Sequence, residues 1–190
     1  MITAEEFASR WAPPAEDAFV KFNEQQINDY SISKTTKDFL LVSGLPASAA
    51  PFISFGVPEE GCRICIDELG YGALFKFEKF EKYIKIGFTG DGSLICIDET
   101  NENIVYLDHE DDNREVFINS SLAQLMESIL EYADFIKKIK EQNGSRAYLE
   151  RNAPPETLDY IIHKLESIDC NALLEGSFWA DEIYFWQCTD

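Results

Sequence analysis

The spacing of apolar residues changes along the chain, and each change predicts a different element. Thr3 and Glu6 have the spacing of a capping box, in which two side chains satisfy the first free amides of a helix. Pro13 and Pro14 stop that helix early. Residues 15–30 support either a helix or a strand around Phe19, Val20 and Phe22. Phe39-Leu-Leu-Val-Ser-Gly-Leu-Pro46 predicts a helix capped by Thr35 or Thr36, a left-handed stop at Gly44 and a turn into sheet. From Pro51 the pattern turns strand-like, with one candidate over 52–57 and weaker ones over 63–67 and 73–77.

The clearest strands follow. Tyr83-Ile-Lys-Ile-Gly-Phe88 is rich in β-branched and aromatic residues. Thr89-Gly-Asp-Gly92 supplies turn chemistry, since glycine reaches positive φ without a Cβ clash. Residues 93–98 return, 99–103 turn again, 104–108 form a third strand and 116–118 a fourth. The result is an antiparallel meander. Ser121 and Gln124 then open a long helix. Its apolar residues Leu122, Leu125, Met126, Ile129, Leu130, Ala133, Ile136 and Ile139 keep the spacing of a face lying on a core. Asn143-Gly144 ends it. Pro154 and Pro155 start a further helix through Leu158, Ile161, Ile162 and Leu165. Asp169 caps a short turn, and an aromatic segment over 177–186 closes the chain. No internal repeat or low-complexity tract interrupts this order.

Composition narrows the function classes. The chain has 190 residues, of which 45% are hydrophobic. That is enough for a core without disulfide or metal support. Its formal net charge is −19. Nucleic-acid phosphates and anionic lipid repel such a surface. From charge alone the simpler reading is that acidity keeps the protein soluble; the other is that a basic protein complements the surface, because opposite fields speed encounter and reject wrong partners. Residues 91–115 carry nine carboxylates against the single base Arg114. Neither a signal peptide nor a membrane-length apolar run is expected. Five cysteines without framework spacing fit reduced thiols in a cytoplasmic protein.

The candidate chemistry is sparse. Cys62-x-x-Cys65 lacks the second ligand pair of a structural zinc site, so both thiols are expected to be buried in strand-like sequence. Asp98 and Asp108 fall at the ends of neighbouring strands, with His109 beside Asp108. A carboxylate–histidine group there would suit metal-dependent hydrolysis. The alternative is ordinary turn chemistry. No phosphate loop, nucleophile elbow or dinucleotide fingerprint is present. His163 fits an ordinary surface position. Trp179, Tyr184, Phe185 and Trp186 are candidates either for interface anchors or for packing the tail onto the core.

The succession from Phe39 to Pro46, then Tyr83 to Asp111, then Phe117 to Tyr132 resembles the SUKH superfamily, immunity proteins of bacterial polymorphic-toxin and contact-dependent systems. The larger branch with a C-terminal extension is the nearest likeness, and residues before Phe39 add nothing to it. The resemblance implies an α+β fold with a curved, mainly antiparallel sheet packed against several α-helices. One domain would span 1–190, best matched over 36–140, with a C-terminal helix and aromatic segment over 150–190. It also implies binding to a cognate toxin without catalysis, cofactor or metal. Eukaryotic and viral relatives serve as regulatory or scaffolding adaptors, which is the second reading. In the first reading the partner is a basic toxin acting on nucleic acid. The expected contact residues are Asp91, Asp98, Glu99, Glu102, Asp108, Glu110, Asp111 and Asp112, with Tyr106 and Trp179 as aromatic anchors and Tyr71 and Tyr83 as further candidates.

Overall fold

The computed structural model describes residues 1–11, 19–56, 62–69 and 78–188. In chain order these form α1 (Ala4–Arg10), β1 (Phe19–Val20), α2 (Glu24–Ile27), α3 (Lys34–Asp38), β2 (Leu45–Pro46), β3 (Ser48–Ala49), β4 (Ile53–Phe55) and α4 (Ile66–Leu69). Then come β5 (Tyr83–Thr89), β6 (Leu94–Asp98), β7 (Ile104–Asp108), β8 (Arg114–Asn119), α5 (Leu122–Asn143), α6 (Pro155–Ile168) and α7 (Phe178–Gln187). Strands β3 to β8 build one antiparallel sheet in sequence order, and β1 pairs with β2 separately. The fold is the α+β arrangement expected, with an open sheet.

The expected meander forms because the alternating side chains find partners on both faces of the sheet. Ile84, Ile86, Ile95, Ile97, Ile104 and Ile118 join the core shared with the helices. On the reverse face, Tyr83, Leu94, Cys96, Val105 and Leu107 cluster with Ile64, Leu69 and Phe80. Central β6 is therefore buried at every position, which explains its continuous apolar sequence. Register shifts between Lys85 and Gly87 and between Ile104 and Val105 add local bends of the kind bulges produce.

Helix α5 buries Leu122, Leu125, Met126, Ile129, Tyr132, Phe135 and Ile139 against that core. Each such side chain contributes about 1.5–3 kcal/mol. The same core takes in residues from Ile2 to Trp186, so the terminal segments pack on the sheet that the central segment makes. Thr3 and Glu6 complete the capping box of α1. Ser121 caps α5, its hydroxyl accepting from the Gln124 amide at 3.3 Å. The box stays half-formed, because the Gln124 side-chain oxygen accepts from the Ser121 hydroxyl at 2.7 Å and not from its amide, while the Gln124 Nε2 donates to the Ile168 carbonyl at 2.9 Å.

Several local expectations are corrected. Helix α3 is capped by Ser33 and not by Thr35 or Thr36, since the Thr36 hydroxyl donates to Glu102 at 2.5 Å. Phe39–Ser43 winds as a π-helical turn. Gly44 has the positive φ expected, +78°, but an extended ψ of 173°. A Cβ there would sit 2.9 Å from both the Lys21 side chain and the Val20 carbonyl. Residues 63–67 make a single bridge, Arg63 to Ile84, and then enter α4. The Cys65 amide donates to the Glu68 carboxylate at 2.7 Å, which closes a helical turn where a strand was expected. Pro13, Pro14, Val57, Tyr71 and the strand expected over 73–77 lie outside the described residues.

The C-terminal part is held by polar contacts as well as apolar ones. Asp169, at the end of α6, accepts from Asn171 as the expected turn requires, at 3.1 Å. It also accepts from the Ser120 amide at 2.6 Å and the Asn119 side chain at 3.2 Å. The Asn119 carbonyl oxygen in turn accepts from Trp179 Nε1 at 2.9 Å. One buried carboxylate and one buried amide thus join β8, the start of α5, the end of α6 and α7.

Candidate partner-binding surface

An antiparallel meander sends successive turns to opposite ends of its sheet. Leu94 pairs with Leu107 and Ile97 with Ile104. The β5–β6 and β7–β8 turns therefore share one end, and the β6–β7 turn lies at the other. At the shared end the Ser93 hydroxyl and His109 Nδ1 are 2.9 Å apart, which ties the two turns together.

Asp91, Glu110, Asp111 and Asp112 are exposed at this end, and Asp108 is half-buried. Asp91 accepts from the Thr89 hydroxyl and from the Ser93 amide. Burial alone would push its carboxyl up, but these hydrogen bonds prevail and hold it below the usual carboxylate range. Arg114 reaches Asp111 at 2.6 Å and Asp108 at 3.5 Å. Both pairs are solvent-facing and stabilise the fold little. Five carboxylates therefore stand at this end of the sheet, two of them held by Arg114.

Beside these tips lies a cleft of about 480 Å³ walled by Phe52, Tyr106, Phe178 and Phe185, with Asp91 and Glu182 at its polar edges. Tyr106 and Phe178 meet edge to face, 6.2 Å between ring centroids. Phe52 and Phe185 are exposed by 62% and 57%. The backbone presents Phe52 at φ +55°, a costly conformation for a bulky residue. Gly90 allows the approach, because a Cβ there would lie 2.7 Å from Phe52 Cβ.

The family model of the SUKH-4 immunity protein matches residues 2–187. The chain belongs to the SUKH-4 immunity family. Neither the search of curated proteins nor that of solved structures finds a match. The match starts well before Phe39, so the N-terminal segment is part of what this SUKH-4 chain shares with its family.

The structure divides the expected contact residues of this SUKH-4 protein into three groups. Asp91, Asp108, Glu110, Asp111, Asp112 and Tyr106 gather around the cleft and its tips. Asp98, Glu99 and Glu102 lie at the opposite end and serve the fold. Asp98 is 1% exposed and binds Lys82 Nζ at 2.5 Å. Glu99 pairs with Arg63 at 2.9 Å and accepts from the Ser31 amide at 2.6 Å. Glu102 accepts from the Ser33 amide and hydroxyl, both at 2.8 Å. Glu99 and Glu102 fasten the segment entering α3 to the sheet, while Asp98 is taken up by Lys82 and Thr100. Trp179 and Tyr83 form the third group. Both are buried, and the Tyr83 hydroxyl donates to Glu115.

The alternative hydrolytic group fails on the same topology. Asp98 and Asp108 stand at opposite ends of paired strands, five residue steps apart in the register, or on the order of 17 Å. Among the described residues no group of three or more His, Cys, Asp or Glu side chains is placed to hold a metal ion. The SUKH-4 thiols also divide. Cys62 is buried, and that burial pushes its thiol up to about 11. Cys65 is exposed, contrary to expectation, because α4 begins where a buried strand was read. His163 is a surface residue, as expected. The tail aromatics split between the two readings: Trp179 and Trp186 pack inside, whereas Tyr184 and Phe185 stay exposed. Among the described residues, no helix is long and apolar enough to cross a membrane.

The cleft itself escaped the sequence reading. Phe52 opens the strand expected over 52–57, whereas β4 begins at Ile53 and Phe52 precedes it; Phe178 reads only as part of the aromatic segment over 177–186. The available signal was weak: an aromatic directly after Pro51, and a Phe-Trp pair beside the N-cap Ser177.

Proposed function

We propose that this protein is a cytoplasmic, non-catalytic immunity protein that neutralises a cognate toxin by covering it with the face formed by the cleft and its acidic tips. The observation that carries the reading is membership of the SUKH-4 immunity family over residues 2–187. The net charge of −19 and the grouping of five carboxylates at one end support a basic partner. A toxin that cuts or modifies nucleic acid fits that chemistry, since its cleft must hold phosphates. The acidic tips steer encounter, and the exposed rings of Phe52 and Phe185 supply the apolar centre that a stable interface of ~1,600 Å² needs.

The test is co-purification with the product of the adjacent gene, followed by association kinetics for the triple variant Glu110→Lys, Asp111→Lys, Asp112→Lys. Slower association with a weaker salt dependence is expected. Unchanged kinetics at low salt would remove the acidic tips from the interface. Absence of any complex would remove the immunity reading for that gene pair.

A further inference from the structure

The cleft contains more than a hydrophobic anchor requires. Rings from Phe52, Tyr106, Phe178 and Phe185 line it, and Asp91 stands at its edge. Burial, and after it the negative charges of Asp108, Asp181 and Asp91, push the Tyr106 hydroxyl up, and Arg114 is the one base that opposes them. That base is held by Asp108 and Asp111 on the outer side. Of the two carboxylates that line the cleft, Glu182 is already paired with Arg151 at 2.5 Å, so the negative field at its edge comes chiefly from Asp91. An apolar side chain would fill the walls and leave that field unanswered. An ammonium would answer it but would bring a compact, strongly hydrated charge among the rings. A planar guanidinium satisfies both, stacking on aromatic faces while its N–H groups reach carboxylates.

The same helix already packs an arginine in this way a short distance off. The Arg151 guanidinium lies 4.9 Å from the Trp186 ring centroid and pairs with Glu182. At the far end of the sheet Arg63 sits 4.5 Å over Tyr30 and pairs with Glu99. The fold therefore twice places an arginine between a ring and a carboxylate, and the cleft repeats the arrangement without an internal arginine among its lining residues.

Resting on the toxin-binding reading above, we infer that the cleft between the β5–β6 turn, Phe52 and α7 is a receptacle for an arginine side chain of the partner protein, its guanidinium stacked against Phe52 and Phe185 and paired with Asp91. The partner's arginine would come from the basic surface that the acidic tips attract. Steering and capture are then two parts of one face: the tips act at a distance and the cleft fixes the register.

The test uses the full chain, labelled with ¹⁵N, at physiological salt. It is titrated with three capped tripeptides, Gly-Arg-Gly, Gly-citrulline-Gly and Gly-Leu-Gly. Citrulline keeps the shape of arginine and removes its charge. The expected result is saturable shifts of the Gly90, Asp91 and Phe185 amides with the arginine peptide. Affinity should fall at least tenfold with citrulline, with Phe185→Ala and with Asp91→Asn. Both substitutions are at exposed positions, and an unchanged remainder of the spectrum reports that each variant is folded. Equal binding of the leucine peptide would overturn the inference in favour of a plain apolar pocket. Shifts located away from the cleft, or insensitive to both variants, would also overturn it. Failure here with a retained effect of the Glu110, Asp111 and Asp112 reversals on toxin association would sink the cleft and leave the immunity reading standing. The opposite pattern would sink the acidic tips and keep the receptacle.

Discussion

Glu182 is the residue at which binding and folding roles are most easily confused, and its replacement by leucine separates them. The carboxylate lines the cleft but is only 8% exposed. One of its oxygens, Oε1, accepts from the Tyr132 hydroxyl, from Arg151 Nη1 at 2.5 Å and from Trp186 Nε1 at 3.2 Å. Burial first, and then the Glu182 charge, raise the Tyr132 hydroxyl well above its ordinary value, so it remains a donor at any ordinary pH. Glu182→Leu strands that donor in apolar surroundings, which costs about 1–3 kcal/mol. Arg151 loses its partner too. A fully buried pair broken this way costs about 3–5 kcal/mol, but the Arg151 side chain is 25% exposed and regains water, so about 1–2 kcal/mol is a fair share. Trp186 keeps its second acceptor, the Tyr132 oxygen at 2.9 Å. The added leucine offsets part of the loss. A net destabilisation of about 3 kcal/mol follows, or roughly 6–12 °C in Tm for a chain of this size. Urea and thermal unfolding followed by circular dichroism measure it. The decisive comparison is with Glu182→Gln. Its amide oxygen can still accept from Tyr132 and Trp186, so Glu182→Gln should be more stable than Glu182→Leu. A leucine variant within about 0.5 kcal/mol of wild type, the ordinary range for surface changes, would refute the reasoning, as would a glutamine variant no better than the leucine one.

Two further outcomes are expected. Gly87→Ala would bring a Cβ to 2.3 Å from the Ser54 carbonyl oxygen, forcing β4 away from β5; a loss of about 1–3 kcal/mol in urea unfolding is expected, and an unchanged midpoint would show that the strands part freely. Burial pushes the Asp98 carboxyl up, but hydrogen bonds from Lys82 and Thr100 outweigh it and the folded-state value is lowered. A lowered folded value means a contribution fully present above the unfolded pKa, about 4, and lost as pH falls through the folded one. The gap in urea midpoint between wild type and Asp98→Asn should therefore be widest near neutrality and narrow below about pH 4. A gap that stays constant down to pH 3 would contradict the assigned pairing.

The chain's own order of residues determined the secondary structure wherever the information was local. The Thr3 capping box, the turn at residues 89–92, the four-strand meander and the apolar face of α5 each rest on neighbours a few positions apart, so they were legible before any contact was known. Where a local signal competed with a distant partner, it was misread: the Thr36 hydroxyl is taken by Glu102. At Ile66–Leu69 one local signal outweighed another, since the Cys65 amide bonds Glu68 three residues on, in a segment whose apolar residues suggested a strand. The acidic run over 91–115 is the sharper case. As sequence it is one continuous patch, yet alternate turns of a meander emerge at opposite ends of a sheet. Only the tertiary structure decided that Asp98, Glu99 and Glu102 bind Lys82, Arg63 and the segment before α3, while Asp91 and residues 108–112 face solvent. It also decided that Trp179 goes inside, where Asn119 takes its indole N–H, and that Phe52 and Phe185, 133 positions apart in the chain, line one cleft. Charge and aromaticity can be counted in a sequence, but which of them remain available to a partner depends on contacts between residues far apart along it.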